Sequence, residues 1–383
     1  MREEGVELLH LHCPMASALL ARQLREALDL PLILTWHTKY DIDIANAIHS
    51  KLLQEGAIAA LLQNVRACDE IWTVSRGAGE NLRSLGFEGE YVVMENGVDL
   101  PRGTATDAEI ENATTGYDLP KGVPVFLFVG RMMWYKGLRI ILDALADLKR
   151  ENIPFRMVFV GGGGDAREVE NYAQELGLSS VCFFTGALSE REALRSWYSR
   201  ADLFLFPSTF DTNGLVVREA AACDLATVMV AGSCAAEGVT DGQNGFFIEE
   251  NAASMASVLR RLCAAPETIK RVGEAAGREL YLSWEAAVDR AVERYEIVLD
   301  RHRTGRYTHE HKLQDEFLRS QGELMESMGE FDAMRQELRD ELRDELRAEH
   351  EDAREKIAAA RADMKQRIEK GRAAFWQKMD RYL

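Results

Sequence analysis

Short apolar segments alternate with amphipathic helical segments along roughly the first 300 residues of this 383-residue chain. The alternation predicts an α/β fold, because strands that are joined by helical crossovers form parallel sheets with right-handed connections. The predicted strands fall into two sets. The first set is 6–12, 31–36, 70–74 and 91–94, and the second is 124–129, 155–160, 181–185, 203–206, 226–230 and 245–248.

Two sets of strands predict two doubly wound, Rossmann-like domains followed by an appendage. The polar segment 98–116, which contains Pro101, is predicted to link the two domains. The expected parts are a first domain over 1–104, a second domain over 105–283, a helix that crosses back to the first domain over 284–304, and a helical tail over 305–383.

The first domain is predicted to be incomplete, because its set of strands is shorter than the second set. Three explanations are open: an internal start at Met1, a sequence that is a fragment of a longer one, or a domain that has been trimmed. A trimmed domain is the least favoured, because exposing the interior of a parallel sheet is costly.

The tail differs in composition from the rest of the chain. Segment 337–347 repeats Glu-Leu-Arg-Asp, and its apolar residues extend a narrow stripe that is typical of a long helix or a weak coiled coil. Segment 354–383 carries nine Lys or Arg against four Asp or Glu, with Phe375 and Trp376 as aromatic anchors. The tail is therefore predicted either to join two subunits in a homodimer or to lie on an anionic membrane surface.

Charge, cysteine content and apolar runs limit the partners and the location of this chain. The net charge of −17 argues against nucleic-acid binding. Six cysteines without C-x-x-C spacing predict buried, reduced thiols and a cytoplasmic location. No apolar run approaches the roughly 20 residues that a membrane span requires, so any membrane contact is predicted to be peripheral.

The strongest functional signal lies in segment 207–220, which follows the apolar strand 203–206. A glycine-containing turn leads into a short helix that is predicted to begin near Gly214. The unpaired N–H groups at such a helix start suit a phosphate or sugar hydroxyls. Asp211 precedes the helix, and Glu219 lies eight positions further on.

Two cations follow another apolar strand, 124–129. Arg131 and Lys136 lie in the run Gly-Arg-Met-Met-Trp-Tyr-Lys-Gly over 130–137. Ligands of open α/β sheets bind at the carboxyl ends of strands. A sugar nucleotide needs this combination of groups: cations for the diphosphate, one acid for the sugar hydroxyls and another for the ribose.

The two cations, followed by an acid, seven residues and Glu219, resemble the donor-site signature of the retaining glycosyltransferases of family 4, which have the GT-B fold. Family members usually have Glu where this chain has Asp211, which keeps the charge and shortens the reach. The resemblance spans roughly residues 5 to 300. It extends to the runs Thr-Trp-His-Thr at 35–38, Asn-Gly-Val-Asp at 96–99 and Asp-Gly-Gln-Asn-Gly-Phe at 241–246.

This resemblance implies a role for each matching residue. Arg131 and Lys136 stabilise the departing diphosphate, Glu219 accepts hydrogen bonds from the ribose, and Asp211 is a catalytic residue that contacts the transferred sugar. His37 faces the donor across the cleft with a catalytic or orienting role. The N–H groups that complete the donor site are those of Thr212, Asn213, Gly214 and Leu215, and the glycines that line the base pocket are Gly162 and Gly163.

Two other types of site have partial matches in the sequence. Residues 161–166 fit G-x-G-x-x-A and raise a dinucleotide-binding oxidoreductase, but strand 181–185 lacks the acid that would hold the ribose. Asp41 and Asp43 resemble the metal-binding DxD of the other large glycosyltransferase class without its context. The histidines at 302, 309 and 311 are predicted to be solvated.

The sequence therefore predicts a metal-independent enzyme without a cofactor, which moves a sugar from a nucleotide sugar to a lipid or cell-envelope glycan. The predicted donor is UDP-linked, and the predicted stereochemistry is retention. The alternative is a catalytically impaired donor-binding relic that acts as a scaffold through its tail.

Overall fold

A computed structural model describes residues 5–307 and three isolated positions, 336, 362 and 366. The chain divides into two units after His311, and the second unit is Lys312–Leu383. The predicted coiled coil and the predicted basic amphipathic helix of the tail lie outside the described residues, as do His309 and His311.

The first sheet has four parallel strands in the order β1-β2-β3-β4. Helices follow the strands as the alternation predicts, and β2 and β3 are buried along their whole length. Strands β1 and β4 are shorter than predicted. The elements are β1 Leu9–Leu11, α1 Ala16–Leu28, β2 Leu32–Trp36, α2 Tyr40–Ala47, α3 Lys51–Arg66, β3 Glu70–Thr73, α4 Arg76–Ser84 and β4 Val92–Val93.

The second sheet has six parallel strands in the order β7-β6-β5-β8-β9-β10. Chain order reverses between β5 and β8, and this switch point is where doubly wound sheets bind ligands. The prediction of an α/β fold with two parallel sheets is confirmed. The elements are α5 Asp107–Thr114, β5 Val125–Val129, α6 Leu138–Arg150, β6 Arg156–Val160, α7 Ala166–Glu175, β7 Cys182–Gly186, α8 Arg191–Arg200, β8 Leu203–Phe206, α9 Leu215–Ala222, β9 Thr227–Val230, β10 Phe246–Ile248, α10 Ala252–Cys263, α11 Pro266–Glu279 and α12 Trp284–Arg303.

The segment predicted as a linker, 98–116, contains a helix, α5, which was not identified from the sequence. The side chain of Thr106 accepts a hydrogen bond from the backbone of Glu109, and the Glu109 carboxylate bonds back to the backbone of Thr106. This reciprocal capping satisfies two donors that a helix start otherwise leaves unpaired.

Helix α12 packs on the first sheet. Tyr295 stacks on Trp72 with ring centroids 5.2 Å apart. Arg294 donates two hydrogen bonds of 2.7 Å to the carboxylate of Glu70, which is 7% exposed. Arg301 lies 3.3 Å from the same carboxylate. A nearly buried acid that is paired in this way fixes the helix against the strand from which the acid comes.

Three minor expectations are corrected or extended. All six cysteines are free; Cys182 and Cys223 are buried, whereas Cys13 is exposed. His302 is half-buried rather than solvated, and its ring lies 3.0 Å from the carbonyl of Asp29. Within residues 5–307, no helix is both long and apolar enough to cross a bilayer.

Candidate active site

The loops after β5 and β8 lie side by side at the switch point of the second sheet. The two strands pair in parallel, with Phe126 opposite Leu203. Their carboxyl ends therefore meet at one edge of the sheet, which places the loop 130–137 next to the loop 207–214.

Lys136 and Asp211 contact each other across these two loops. The Lys136 Nζ lies 2.5 Å from Asp211 Oδ1, and Lys136 is only 7% exposed. The second carboxylate oxygen of Asp211 accepts a 2.5 Å hydrogen bond from the Ser208 hydroxyl. Asp211 is thus held from both sides, by Lys136 of one loop and by Ser208 of its own loop.

Gly137 allows this close approach. It ends the 3₁₀ turn Trp134–Lys136 with φ of 77°, a conformation that side-chain-bearing residues rarely adopt. A Cβ atom there would lie 2.6 Å from the carbonyl oxygen of Pro207. The glycine therefore lets the backbone of one loop contact the other and brings Lys136 to Asp211.

Arg131 is placed differently from Lys136. Its side chain is exposed, and the guanidinium carbon lies 6.0 Å from the ring centroid of Tyr135. Among the described residues it forms no ion pair. The structure thus places one predicted cation in contact with Asp211 and leaves the other on the open side of the same loop.

Helix α9 begins where the sequence predicts. Gly214 has φ of 63°, and a Cβ atom there would lie 2.7 Å from the Cβ of Ala235. Leu215, the first helical residue, is exposed. Only glycine fits both the backbone conformation and the space at this position.

Glu219 lies on the second turn of α9, where burial raises the pKa of its carboxyl group. Its Oε2 accepts a 2.9 Å hydrogen bond from the hydroxyl of Tyr198, which is 1% exposed. Tyr198 was not identified from the sequence. It comes from α8, 21 positions before Glu219, and no local pattern connects the two.

A cleft of about 410 Å³ opens beside Glu219. Leu215, Arg191 and Trp284 also line it, whereas Lys136 and Asp211 do not. The structure therefore separates the predicted acids: Asp211 lies at the cation, and Glu219 lies at a neighbouring cleft of a size typical of ligand sites.

The side chains of Thr212 and Asn213 contact the segments that follow β2 and β3 of the first sheet. The Thr212 hydroxyl donates a 2.6 Å hydrogen bond to the His37 carbonyl, and the Thr212 carbonyl accepts a 2.5 Å bond from the Ser75 hydroxyl. The Asn213 amide donates to the carbonyl of Val74. The predicted donor loop is thus tied directly to the segment that carries His37.

His37 belongs to a cluster of three histidines at the carboxyl ends of β1 and β2. Its Nε2 lies 2.8 Å from Nδ1 of His12, and the rings of His12 and His10 lie 4.4 Å apart. Burial lowers the pKa of all three, that of His10 to about 3. The sequence singled out His37 alone, although His12 follows β1 just as His37 follows the adjacent strand β2.

The glycine run at 161–164 packs against the backbone of the loop that carries Arg131. A Cβ at Gly161, where φ is 138°, would lie 1.9 Å from the Gly130 carbonyl oxygen, and one at Gly163 would lie 2.4 Å from that of Met132. The Gly162 carbonyl accepts a 2.9 Å hydrogen bond from the Met132 N–H. Close backbone packing thus accounts for Gly161 and Gly163 without a dinucleotide.

Asp41 and Asp43 both engage neighbouring side chains at the start of α2. Asp41 accepts a 3.2 Å hydrogen bond from the Asn81 amide, and Asp43 accepts one of 3.3 Å from Thr38. In the part of the chain that the structure describes, no group of three His, Cys, Asp or Glu could hold a metal ion.

Two family models match the chain. The model described as "Glycosyl transferases group 1" matches residues 110–279, which include the loops around Lys136 and Asp211. The model described as "Glycosyltransferase Family 4" matches residues 1–102, which include the histidine cluster. Each match coincides with one of the two parallel sheets.

The chain matches curated relatives over part of their length. The D-inositol 3-phosphate glycosyltransferase of Thermomonospora curvata is 32% identical over 218 residues, which are 53% of this chain and 50% of that protein. The alpha-monoglucosyldiacylglycerol synthase of Streptococcus pneumoniae is 23% identical over 225 residues, 58% of this chain and 51% of that protein. The chain thus spans about half the length of these two relatives.

Solved structures share the architecture. The Anabaena protein HepE in complex with UDP and glucose has a TM-score of 0.64 at 18% identity, covering 77% of this chain and 79% of that one. Sucrose-phosphate synthase from Thermosynechococcus elongatus has a TM-score of 0.66 at 22% identity, covering 78% and 75%. At these identities the likeness shows the fold alone.

Proposed function

Because this chain belongs to the family 4 glycosyltransferases, whose fold is GT-B, we propose that it transfers a sugar from a UDP-sugar with retention of the anomeric configuration. The proposed acceptor is a lipid or a cell-envelope glycan. The bond from the anomeric carbon to the diphosphate oxygen breaks, and the acceptor oxygen bonds to that carbon. The acceptor's hydroxyl proton leaves with the diphosphate or enters solvent.

The contact between Lys136 and Asp211 at the switch point is the observation that carries this proposal. Of a cation and an acid that meet there, the cation can bind the diphosphate and the acid can bind the sugar. The ammonium group has three donors, of which Asp211 takes one, so the others are available to phosphate oxygens. Asp211 is then positioned to accept hydrogen bonds from the sugar hydroxyls.

Negative charge develops on the diphosphate as it leaves, and fixed cations stabilise that charge most when water is excluded. Lys136 is nearly buried and Arg131 lies on the open side of the same loop. We assign both to the diphosphate. We assign no metal ion and no cofactor to the reaction, because the two side chains supply the positive charge.

The cleft beside Glu219 is the proposed site of the nucleoside. The Tyr198 hydroxyl occupies one carboxylate oxygen of Glu219, which leaves lone pairs for the ribose hydroxyls. UDP is the proposed nucleotide because the similar Anabaena structure contains UDP.

The first domain supplies the acceptor side of the proposed site. His37 is joined to the donor loop through the hydroxyl of Thr212, and we assign it to the transferred sugar or the acceptor hydroxyl. The names of the relatives, a D-inositol 3-phosphate glycosyltransferase and an alpha-monoglucosyldiacylglycerol synthase, support polar or lipid acceptors. A membrane-binding or dimer-forming tail remains the sequence-based proposal for 305–383.

An anomer-resolved assay tests the reaction without knowledge of the acceptor. The protein is incubated with UDP-glucose, UDP-N-acetylglucosamine or GDP-mannose, and proton NMR follows the free sugar that forms by slow transfer to water. The proposal predicts that a UDP-sugar is consumed and that the α-anomer appears first. Appearance of the β-anomer first would overturn retention. Consumption of none of these donors would favour the donor-binding relic.

A further inference from the structure

His12 and His37 form a side-chain pair between adjacent strands. His12 follows β1 directly, His37 follows β2 directly, and the two strands pair in parallel. Their Nδ1 and Nε2 atoms are 2.8 Å apart, which is the length of a good hydrogen bond between imidazoles. His12 is exposed and His37 is half-buried.

The ring of His12 packs against a fixed neighbour. His10 lies 4.4 Å from it by ring centroids, and both nitrogens of His10 are engaged, by the Tyr295 hydroxyl at 2.6 Å and the Thr35 hydroxyl at 2.7 Å. Tyr295 belongs to α12, so the first sheet and the crossover helix together hold His10 under His12.

The loop that follows His12 is also anchored. The Asn64 amide donates a 2.9 Å hydrogen bond to the carbonyl of Pro14. Asn64 itself accepts a 2.9 Å hydrogen bond from Arg22, a side chain with no exposed surface. The ring of His12 is therefore held by His10 and His37, and the chain is anchored two residues further on, although His12 faces solvent.

Only one of the two facing nitrogens can carry a proton in an N–H···N hydrogen bond. If His37 donates from Nε2, then Nδ1 of His12 accepts, and each neutral ring keeps its proton on Nε2. Nδ1 of His37 is then unprotonated and has no partner among the described residues, so it can accept a hydrogen bond from a hydroxyl.

We propose that His12 is a positioning residue of the active site, whose Nδ1 accepts the Nε2–H of His37 and so keeps Nδ1 of His37 available as an acceptor. The assignment rests on the proposed sugar transfer, because a sugar hydroxyl is the donor that this acceptor would meet. His12 itself contacts neither sugar nor diphosphate and acts through His37.

Proton NMR of nitrogen-labelled protein tests the hydrogen bond independently of activity. The expected result is an Nε2–H signal of His37 that exchanges slowly with water and couples to Nδ1 of His12. The signal should disappear in His12→Phe, whose ring keeps the contact with His10. A proton on Nδ1 of either ring, or an unchanged His37 signal in His12→Phe, would overturn the proposal.

The kinetics of sugar release from the UDP-sugar test whether His12 positions His37. His12→Phe should lower kcat about tenfold, the worth of one hydrogen bond, and leave KM unchanged. His12→Asn, whose amide oxygen can replace Nδ1, should recover most of the loss. The exposed His49→Phe is the matched control and should behave as wild type.

A double variant tests whether His12 acts only through His37 or contributes to turnover independently. Adding His12→Phe to His37→Ala should cause no further loss of kcat, because His12 acts only through His37. Multiplied losses would contradict the proposal. If the wild-type protein releases sugar from no donor, the proposed function fails, and the NMR result alone decides whether His12 positions His37.

Discussion

Lys136 and Asp211 lie on different loops of the second sheet, and their charged groups are 2.5 Å apart. The contact depends on the pairing of β5 with β8, since each loop extends directly from one of those two strands. The ion pair therefore depends on the switch point, where the two loops lie side by side.

Removing one member of this pair should destabilise the protein more than removing both charges. Lys136→Met leaves a partly buried carboxylate without its cation, and we expect a loss of about 3 kcal/mol in the free energy of unfolding. The double variant Lys136→Met, Asp211→Asn should regain a large part of that loss. Urea denaturation measures both values, and a double variant less stable than Lys136→Met would show that the two groups do not compensate each other.

Asp211→Asn should separate binding of the nucleotide from turnover. We expect the affinity for UDP to stay within about threefold of wild type, because the cations and Glu219 remain. Sugar release from the UDP-sugar should fall by about a hundredfold, since the lost charge acts on the sugar in the transition state. Calorimetric titration measures the affinity for UDP, and the NMR assay measures the rate of sugar release. Equal losses of UDP affinity and of sugar release would contradict the assignment of Asp211 to the sugar.

Glu219→Gln should stabilise the protein and weaken nucleotide binding. Burial raises the pKa of Glu219 above its value in the unfolded chain, so the folded protein keeps this proton to higher pH. Stability contributed by this group therefore falls as pH rises from the unfolded to the folded pKa, and the cost is fully present above the folded pKa.

Thermal unfolding from pH 4 to pH 8 provides the measurement for that substitution. The gain in melting temperature of Glu219→Gln over wild type should be larger at neutral pH than at pH 4. UDP affinity should fall about tenfold, because a charged acceptor for the ribose is lost. A variant that is less stable than wild type at neutral pH would contradict the stated cause of the pKa shift.

Gly161→Ala and Gly162→Ala form a matched pair for the glycine run. The first places a Cβ 1.9 Å from the Gly130 carbonyl at φ of 138°, and should cost at least about 3 kcal/mol of stability. The second meets only the Ala187 Cβ at 3.7 Å and should be nearly neutral. Equal stability of the two variants, or binding of NAD by wild type, would revive the dinucleotide interpretation.

The sequence predicted some elements well because their patterns are local. Strands such as Val125–Val129 are continuous apolar runs, because parallel strands in a covered sheet are buried on both faces. Lys136 and Asp211 could be placed together because each follows such a strand. The missed helix α5 had a local signal, the pair Thr106 and Glu109, which the linker interpretation overlooked.

Other parts of the site depend on contacts that no local pattern encodes. Tyr198 reaches Glu219 only because α8 and α9 pack near each other. The side chains of Thr212 and Asn213 contact the first domain, which the helix-start argument for their N–H groups did not anticipate. His12 becomes informative only when β1 is paired with β2.

Calorimetric titration with UDP tests the central claim most directly, namely that the switch point of the second sheet is a sugar-nucleotide site. The proteins compared are wild type, Lys136→Met and the exposed-surface control Lys121→Met. We predict that wild type and the control bind UDP equally, and that Lys136→Met binds it about tenfold to a hundredfold more weakly. Equal affinity in all three proteins, or no binding of UDP by wild type, would contradict the claim.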